Sequence, residues 1–310
     1  MMNDVLVTKV IPVYNREATI RRCLDSIAAQ RGIEHFELII VDNNSADDSV
    51  GEIKRWVDIN PRIKTTITSE KQQSAAAARN AGLALATTDY VMFFDSDDEM
   101  LQGHLERLLK GISQYPDADI IGWNIICQLP DMRWYKAVFK CERPIFDHII
   151  NSSLATQRYA AKTQLFKSAG GWDSALPGWD DLELGVRLIS LNPKMIKLSD
   201  PADGPLVKTY FTSNSITGSS FSATPAKWEA AMDKIERIIE TNFPEELYLV
   251  AFRRAALAGL YAREGAKKDA ARLLEMATTK KFGKIKARAV YETARVFGKG
   301  TRLLASLLLP

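Results

Sequence analysis

The chain has 310 residues, 46% of them hydrophobic and 25% charged, with a formal net charge of +3. That length allows one large domain, or a medium domain with an appendage, and the composition is that of an ordinary globular protein, which excludes a disordered or low-complexity chain. No stretch reaches the ~18 uninterrupted apolar residues of a membrane span, and three scattered cysteines, Cys23, Cys127 and Cys141, are too few for a disulfide framework or a zinc site.

Met1 to Val10 shows no basic region followed by an apolar run, so no secretory leader is read there. With the reduced thiols, this leads to an expected cytoplasmic location, peripheral attachment to the inner face of the plasma membrane remaining open.

The first half alternates apolar runs with helix-period segments. Val5 to Val13 reads as a buried strand, and Ala18 to Ala29 as a helix with apolar residues at 20, 24, 27 and 28. Leu38 to Val41 is a second strand, stopped by the turn-forming Asp42-Asn43-Asn44-Ser45. Ser49 to Val57 reads as helix, Ile63 to Thr68 as a β-branched strand, Ser74 to Ala86 as an Ala-rich helix, and Tyr90 to Phe94 as a fourth strand. Ile120 to Cys127 reads as one further strand, followed by a long irregular stretch to about Arg158. Asp181 to Leu191 is helical, Thr212 to Thr224 reads as a linker, and beyond Pro225 the chain is all helix.

Strand–helix alternation at this spacing predicts an α/β fold, a mostly parallel sheet flanked by helices. Ligands bind such sheets at the carboxyl ends of the strands, where the acidic clusters at Asp42 and Asp95 fall. Asp95-Ser96-Asp97-Asp98 places three carboxylates in four residues, which repel one another unless a cation or hydrogen-bond donors compensate. Mg²⁺ and Mn²⁺ take oxygen ligands and are often held by one or two carboxylates plus substrate phosphates. The plain alternative is a polar turn that caps the next helix.

Four segments together resemble the family 2 inverting glycosyltransferases. They are Val10-Ile11-Pro12-Val13-Tyr14-Asn15 with Ile20…Cys23-Leu24-Asp25-Ser26-Ile27, then Leu38 to Asp47, then Ala78-Arg79-Asn80-Ala81-Gly82, then Asp95 to Asp98. The resemblance spans about 90 residues strongly and weakens toward residue 217. It implies a GT-A fold over 1–222, with a nucleotide-binding half at 1–99 and an acceptor half at 100–222, while the helical pattern beyond Pro225 sets 223–310 apart as a helical C-terminal region. It also implies transfer of a sugar, with inversion, from a nucleotide diphosphate sugar, a UDP-sugar first, to a glycan or lipid-linked acceptor such as those of bacterial surface polysaccharides. On the family pattern Pro12, Tyr14, Asp42 and Arg79 contact base and ribose, Asp95 lies at ribose and diphosphate, and Asp97 coordinates Mn²⁺ or Mg²⁺. Asn43-Asn44 replaces the family's more usual Asp-Gly, a change Asn accommodates because it tolerates left-handed backbone.

Gly170-Gly171-Trp172-Asp173 and Gly178-Trp179-Asp180-Asp181-Leu182-Glu183 resemble the family's Gly-Gly-Phe-Asp segment and its Glu-Asp helix start. By that resemblance Asp181 is the general base, with Asp180 the other candidate, while Trp172 and Trp179 offer flat faces to an acceptor or sugar ring. Lys208 falls near the family's diphosphate-supporting loop, where Thr212 stands near the usual His, ahead of Ser215-Ile216-Thr217. His35, His104 and His148 lack metal-ligand spacing. A nucleotidyltransferase on a related sheet is an alternative, although Pro12 to Arg16 stands where its Gly-rich loop belongs. A degenerate helical scaffold is another.

Leu247 to Ala277 resembles a single tetratricopeptide-like hairpin. From Met276 onward eight Lys or Arg face one acid, Glu292, so this stretch carries +7 and leaves −4 for the rest of the chain. Together with Ile285, Val296, Leu303, Leu304 and Leu307 to Leu309, the segment 280–310 reads either as a helix closing the fold or as a surface for an anionic bilayer. Nucleic acid is excluded as a partner, since no aromatic residues interleave with the charges as base stacking requires.

Overall fold

The computed structural model describes residues 7–198, 204–211, 220–279, 282–298 and 301–310. Thr212, the Ser215-Ile216-Thr217 element, Lys280, Lys281 and Lys299 lie outside the described residues. Two compact units form, and they interleave in sequence. One comprises Met1–Cys141, Ser153–Ala175 and Leu191–Thr212; the other comprises Glu142–Ser152, Leu176–Ser190 and Ser213–Pro310.

The first unit is α/β. It opens with β1 (Val7–Val13), α1 (Ile20–Ala28), β2 (Phe36–Asp42), α2 (Ser49–Ile59), β3 (Lys64–Ser69), α3 (Ala75–Leu85) and β4 (Tyr90–Phe93). β5 (Glu99–Met100), α4 (His104–Gln114), β6 (Ile120–Gly122), β7 (Ile125–Gln128) and β8 (Trp134–Ala137) follow. After α5 (Pro144–Asn151), which belongs to the second unit, come β9 (Tyr159–Lys162) and α6 (Thr163–Ser168). α7 (Asp180–Ser190) again belongs to the second unit, and β10 (Met195–Lys197) and β11 (Val207–Thr209) return to the first.

Seven strands form the main sheet in the order β10-β6-β9-β4-β1-β2-β3, parallel except for β9, which runs against both its neighbours. A second sheet, β5-β11-β7-β8, has four strands. β1, β2 and β4 are buried on both faces, which is why they read as continuous apolar runs rather than alternating ones. α1 buries Ile20, Cys23, Leu24 and Ile27, a three-to-four spacing that lines one side of a helix. Fully burying each aliphatic side chain of this kind contributes roughly 1.5–3 kcal/mol before the cost of ordering it.

Two expectations are corrected. Ile120 to Cys127 is not one strand: the chain leaves the main sheet at Trp123 and enters the second sheet at Ile125. Buried Asn124 makes the crossing, its side-chain oxygen accepting from the Phe139 N–H (2.8 Å) and its carbonyl from the Leu206 N–H (2.9 Å). The stretch read as irregular contains β8 and α5; the latter starts on Pro144 at its first turn, where a missing N–H costs nothing.

The elements described in the second unit are all helices. Besides α5 and α7 it holds α8 (Pro225–Asn242), α9 (Leu247–Arg263), α10 (Lys267–Met276), α11 (Lys284–Phe297) and α12 (Thr301–Leu308). Its core closes around Trp228, Leu257, Tyr261 and Leu273. The C-terminal region is thus helical, as the sequence pattern indicates.

Candidate active site

β1, β2 and β4 lie side by side and parallel, Val13 opposite Asp42 and Val10 opposite Phe93, so their carboxyl ends share one edge of the sheet. That edge receives Pro12 and half-exposed Tyr14 from β1, Asp42 as the last residue of β2, and Asp95 to Asp98 beyond β4. Asp42 accepts from the Ser45 N–H (3.3 Å) within its own turn. Asn44 sits at φ +64°, in the left-handed region that Asn tolerates, so the turn forms without a Gly. Asn43 is buried and ties the end of β2 to the 70–74 stretch that joins β3 to α3. Its amide donates to the Glu70 and Gln72 carbonyls (2.9 and 2.7 Å), and its oxygen accepts from the Ser74 N–H (2.8 Å) at the head of α3.

Each polar residue of Arg79-Asn80-Ala81-Gly82 has a visible task. Buried Arg79 donates to Asp95 Oδ1 at 2.8 Å, and its guanidinium lies 4.4 Å from the Trp172 ring centre. Asn80 makes a reciprocal pair with the Trp172 backbone, donating to its carbonyl (2.7 Å) and accepting from its N–H (2.8 Å). Gly82 lets α3 lie directly on β1, since a Cβ there would stand 2.3 Å from Val10 Cγ1. Trp172, expected to present a flat face to a sugar, is only 3% exposed and packs edge-on against Phe93 at 5.2 Å. Its ring serves as a floor for Arg79 instead.

Within the acidic turn the three carboxylates are treated differently. Asp95 is held from two sides, by Arg79 and by Gln157, whose side-chain amide donates to Asp95 Oδ2. Gln157 carries no sequence signal. It reaches the turn because β9 runs antiparallel to β4, so the start of β9 lies beside the end of β4. Asp97 has Arg16 at 3.5 Å, while its backbone carbonyl accepts from Arg22 (2.5 Å). Burial and the neighbouring Asp95 push the Asp97 carboxyl up, against a smaller opposing pull from Arg16. Asp98 is buried, accepts from the Tyr210 N–H (3.0 Å), and is pushed well up by burial and by both neighbouring acids. Among the described residues no group of three or more His, Cys, Asp or Glu side chains is arranged to hold a metal by itself.

Beneath this turn lies Lys9, fully buried on β1, its Nζ 3.6 Å from the Phe94 ring centre and without a hydrogen-bond partner. Burial pulls its pKa down to about 7. In the second sheet, Lys208 lies over the rings of Trp134 and Tyr210 (4.8 and 4.9 Å).

In the second unit, Asp180, Asp181 and Glu183 occupy the first turn of α7, where the helix dipole favours negative charge. Asp181 accepts from the Leu182 N–H (2.8 Å), and Glu183 pairs with Arg187 through two bonds of 2.7 and 2.6 Å. Burial pulls Lys227 down against the opposing charge of Asp180, and buried Arg253 is pulled down to about 10 by burial and then by Arg302, with Asp181 opposing. Trp179, at φ +54°, stacks near Trp228 and Phe221 with the Arg253 guanidinium 4.9 Å from its ring centre. Buried His148 reaches the Leu182 carbonyl (2.9 Å) and fills the space left by Gly185, where a Cβ would stand 2.1 Å from its Nε2. Nothing in the sequence singled out Arg253, Lys227 or His148, because their roles arise from packing.

The glycosyl transferase family 2 model matches residues 8–167, just over half of the 310 residues. The chain belongs to glycosyl transferase family 2. The matched span covers the motifs at the sheet edge and stops before Asp180 and Asp181. A glycosyltransferase, GlyA, of Streptococcus pneumoniae is 28% identical over 95% of this chain and 42% of its own length. The pre-mycofactocin glycosyltransferase of Mycobacterium tuberculosis is 30% identical over 61% of this chain and 40% of its own. This chain therefore spans less than half the length of these curated relatives.

Among solved structures, TarS 1-349 of S. aureus in complex with UDP-GlcNAc shares the fold with a TM-score of 0.64 and 16% identity, covering 94% of this chain and 90% of that one. The mannosyltransferase PcManGT of Pyrobaculum calidifontis, in complex with GDP-Man and Mn²⁺, gives 0.59 and 18%, covering 96% and 89%. Both are GT-A-like, in accord with the sheet described above.

The donor set of this family 2 chain fits a hard divalent ion. The turn offers oxygen ligands only, and Asp97 and Asp98 carry negative charge that their surroundings disfavour. It fits as a shared site, in which one or two carboxylates hold the ion together with donor phosphates, and not as a closed protein cage.

Proposed function

We propose that this family 2 member transfers a sugar from a nucleotide diphosphate sugar to an acceptor hydroxyl, with inversion at the anomeric carbon. The observation that carries the reading is the shared edge of β1, β2 and β4, which gathers Tyr14, Asp42 and the under-compensated Asp97. Tyr14 offers an aromatic face to the base and Asp42 an acceptor for a base N–H or ribose hydroxyl. Arg79 and Gln157 hold the Asp95 carboxylate in a fixed direction toward the ribose and diphosphate, so no reorganisation is needed when the donor binds. Asp97 would hold Mn²⁺ or Mg²⁺, and the ion would supply Lewis-acid neutralisation of the departing diphosphate.

Asp181 is the proposed base that takes the acceptor proton as the hydroxyl attacks; that proton becomes acidic only in the transition state, which suits a carboxylate. Asp180 is the other candidate. The proposed donor is a UDP-sugar and the acceptor a glycan or lipid-linked glycan; TarS and PcManGT, which bind UDP-GlcNAc and GDP-Man, motivate the donor class.

A panel of nucleotide sugars, each with and without Mn²⁺, scored by thermal shift, tests the first step. Metal-dependent stabilisation by at least one donor, lost in Asp97→Asn, is expected. Stabilisation by free nucleoside triphosphates and by no nucleotide sugar would overturn the reading in favour of nucleotidyl transfer.

A further inference from the structure

No described helix is long and apolar enough to cross a membrane, yet the second unit leaves large aliphatic side chains of α11 and α12 open to solvent. On α12, Leu303 and Leu307 stand one turn apart and are 75% and 78% exposed. On α11, Ile285 is 86% exposed, while Ala287, Val290 and Ala294 on the opposite side are buried. Large aliphatic side chains left this open contribute nothing to the fold and lose the free energy of burial.

Charge surrounds them. Lys284 precedes Ile285, Lys286 follows it, and Arg302 precedes Leu303. The one acid of the segment, Glu292, is engaged by Arg288 and Arg295, both at 2.6 Å, and so does not cancel the outer cations. Between the start of α11 and the end of α12 lies an open-sided cavity of about 380 Å³, walled by Tyr248, Phe282 and Leu308 with Lys286 as its one cation. Apolar side chains, cations and a recess are thus assembled on one part of one unit.

We infer that this face docks on an anionic phospholipid bilayer. Leu303, Leu307 and Ile285 enter the headgroup–acyl boundary, and Lys284, Lys286 and Arg302 meet lipid phosphates. The recess takes the upper part of one lipid, with Lys286 at its phosphate. Charge complementarity selects this occupant: a second copy of the chain would bring the same cations against these, and like charges at contact oppose association.

Co-sedimentation of the full chain with vesicles tests the assignment. Binding is expected on phosphatidylcholine vesicles doped with phosphatidylglycerol, falling steeply with salt, and is expected to be at least roughly tenfold weaker on phosphatidylcholine alone. Leu303→Ser with Leu307→Ser lowers binding on the order of tenfold. Lys284→Gln with Arg302→Gln lowers it roughly twenty-fivefold, two cations at about fivefold each. These side chains are exposed, so melting temperatures should stay at the wild-type value, which separates lost docking from lost folding. Equal binding to both vesicle types, no binding to either, or indifference to the leucine pair overturns the proposal. A dimer dissolved by the leucine substitutions, with no vesicle binding, assigns the face to a second copy instead. Vesicle binding needs no donor, so its outcome is independent of the transfer chemistry.

Discussion

The two acidic clusters of this chain are built on opposite plans. At residues 95–98 the carboxylates crowd together, and burial and mutual repulsion push Asp97 and Asp98 up. At residues 180–183 each acid has a base to answer it: Glu183 holds Arg187, Asp180 faces Lys227, and Asp181 faces Arg253. The first cluster has bases too, Arg79 on Asp95 and Arg16 at 3.5 Å from Asp97, but they do not offset the burial and repulsion at Asp97 and Asp98, which a cation arriving with a ligand would. The second cluster sits among the bases Arg187, Lys227 and Arg253 of its own unit.

Substitutions can break or sharpen that contrast. Asp97→Asn should give the largest effect, a loss of transfer on the order of a thousandfold, with the fold intact because the removed charge is one its neighbours disfavour; unaltered turnover with Mn²⁺ present would remove Asp97 from the metal role. Asp181→Asn should reduce turnover roughly a hundredfold or more while metal-dependent donor binding, read by thermal shift, stays as in the wild type. If Asp180→Asn produces that pattern and Asp181→Asn does not, the base is Asp180.

Lys9→Met acts on stability. The folded ammonium titrates at about 7 against an ordinary 10.5, so between those values the unfolded chain binds more protons and stability climbs with pH. Below the lower value the cost of burying the charge is felt in full. The substitution should therefore stabilise by on the order of 2–4 kcal/mol at pH 7 and below, with the gain fading toward about pH 10; melting curves across that range check it, and a pH-independent gain would mean the ammonium is not the cause. The smallest effect is expected for Gln157→Ala, which frees one side of Asp95. Donor affinity should fall about tenfold, the scale of one hydrogen bond to a charged group, with turnover at saturating donor nearly kept.

Much of the sheet edge is legible in the sequence, for a physical reason. Tyr14, Asp42 and Asp95 each directly follow or end a buried apolar run, and in a parallel sheet the ends of such runs converge. The same local logic exposed the Asn44 turn, because left-handed backbone is a property of one residue. What escaped was set by distant contacts. Trp172 read as a sugar platform because an aromatic beside a Gly-Gly turn gives no hint of Phe93 and Arg79 closing over it. The passage from β6 to β7 was invisible because an apolar run looks the same when it changes sheets at Asn124. Gln157 lies 62 positions from its partner Asp95 and belongs to no motif.

The reversed strand β9 has one more consequence. It delivers Gln157, which belongs to no motif, to Asp95 on the proposed donor side of the sheet. On the proposed reading, Gln157 is a tuning screw: partly open between buried Thr156 and Arg158, it can change without disturbing that packing and reset how Asp95 meets a ribose. Two chains with identical motifs and different residues at position 157 are then the pair in which to look for a change of donor.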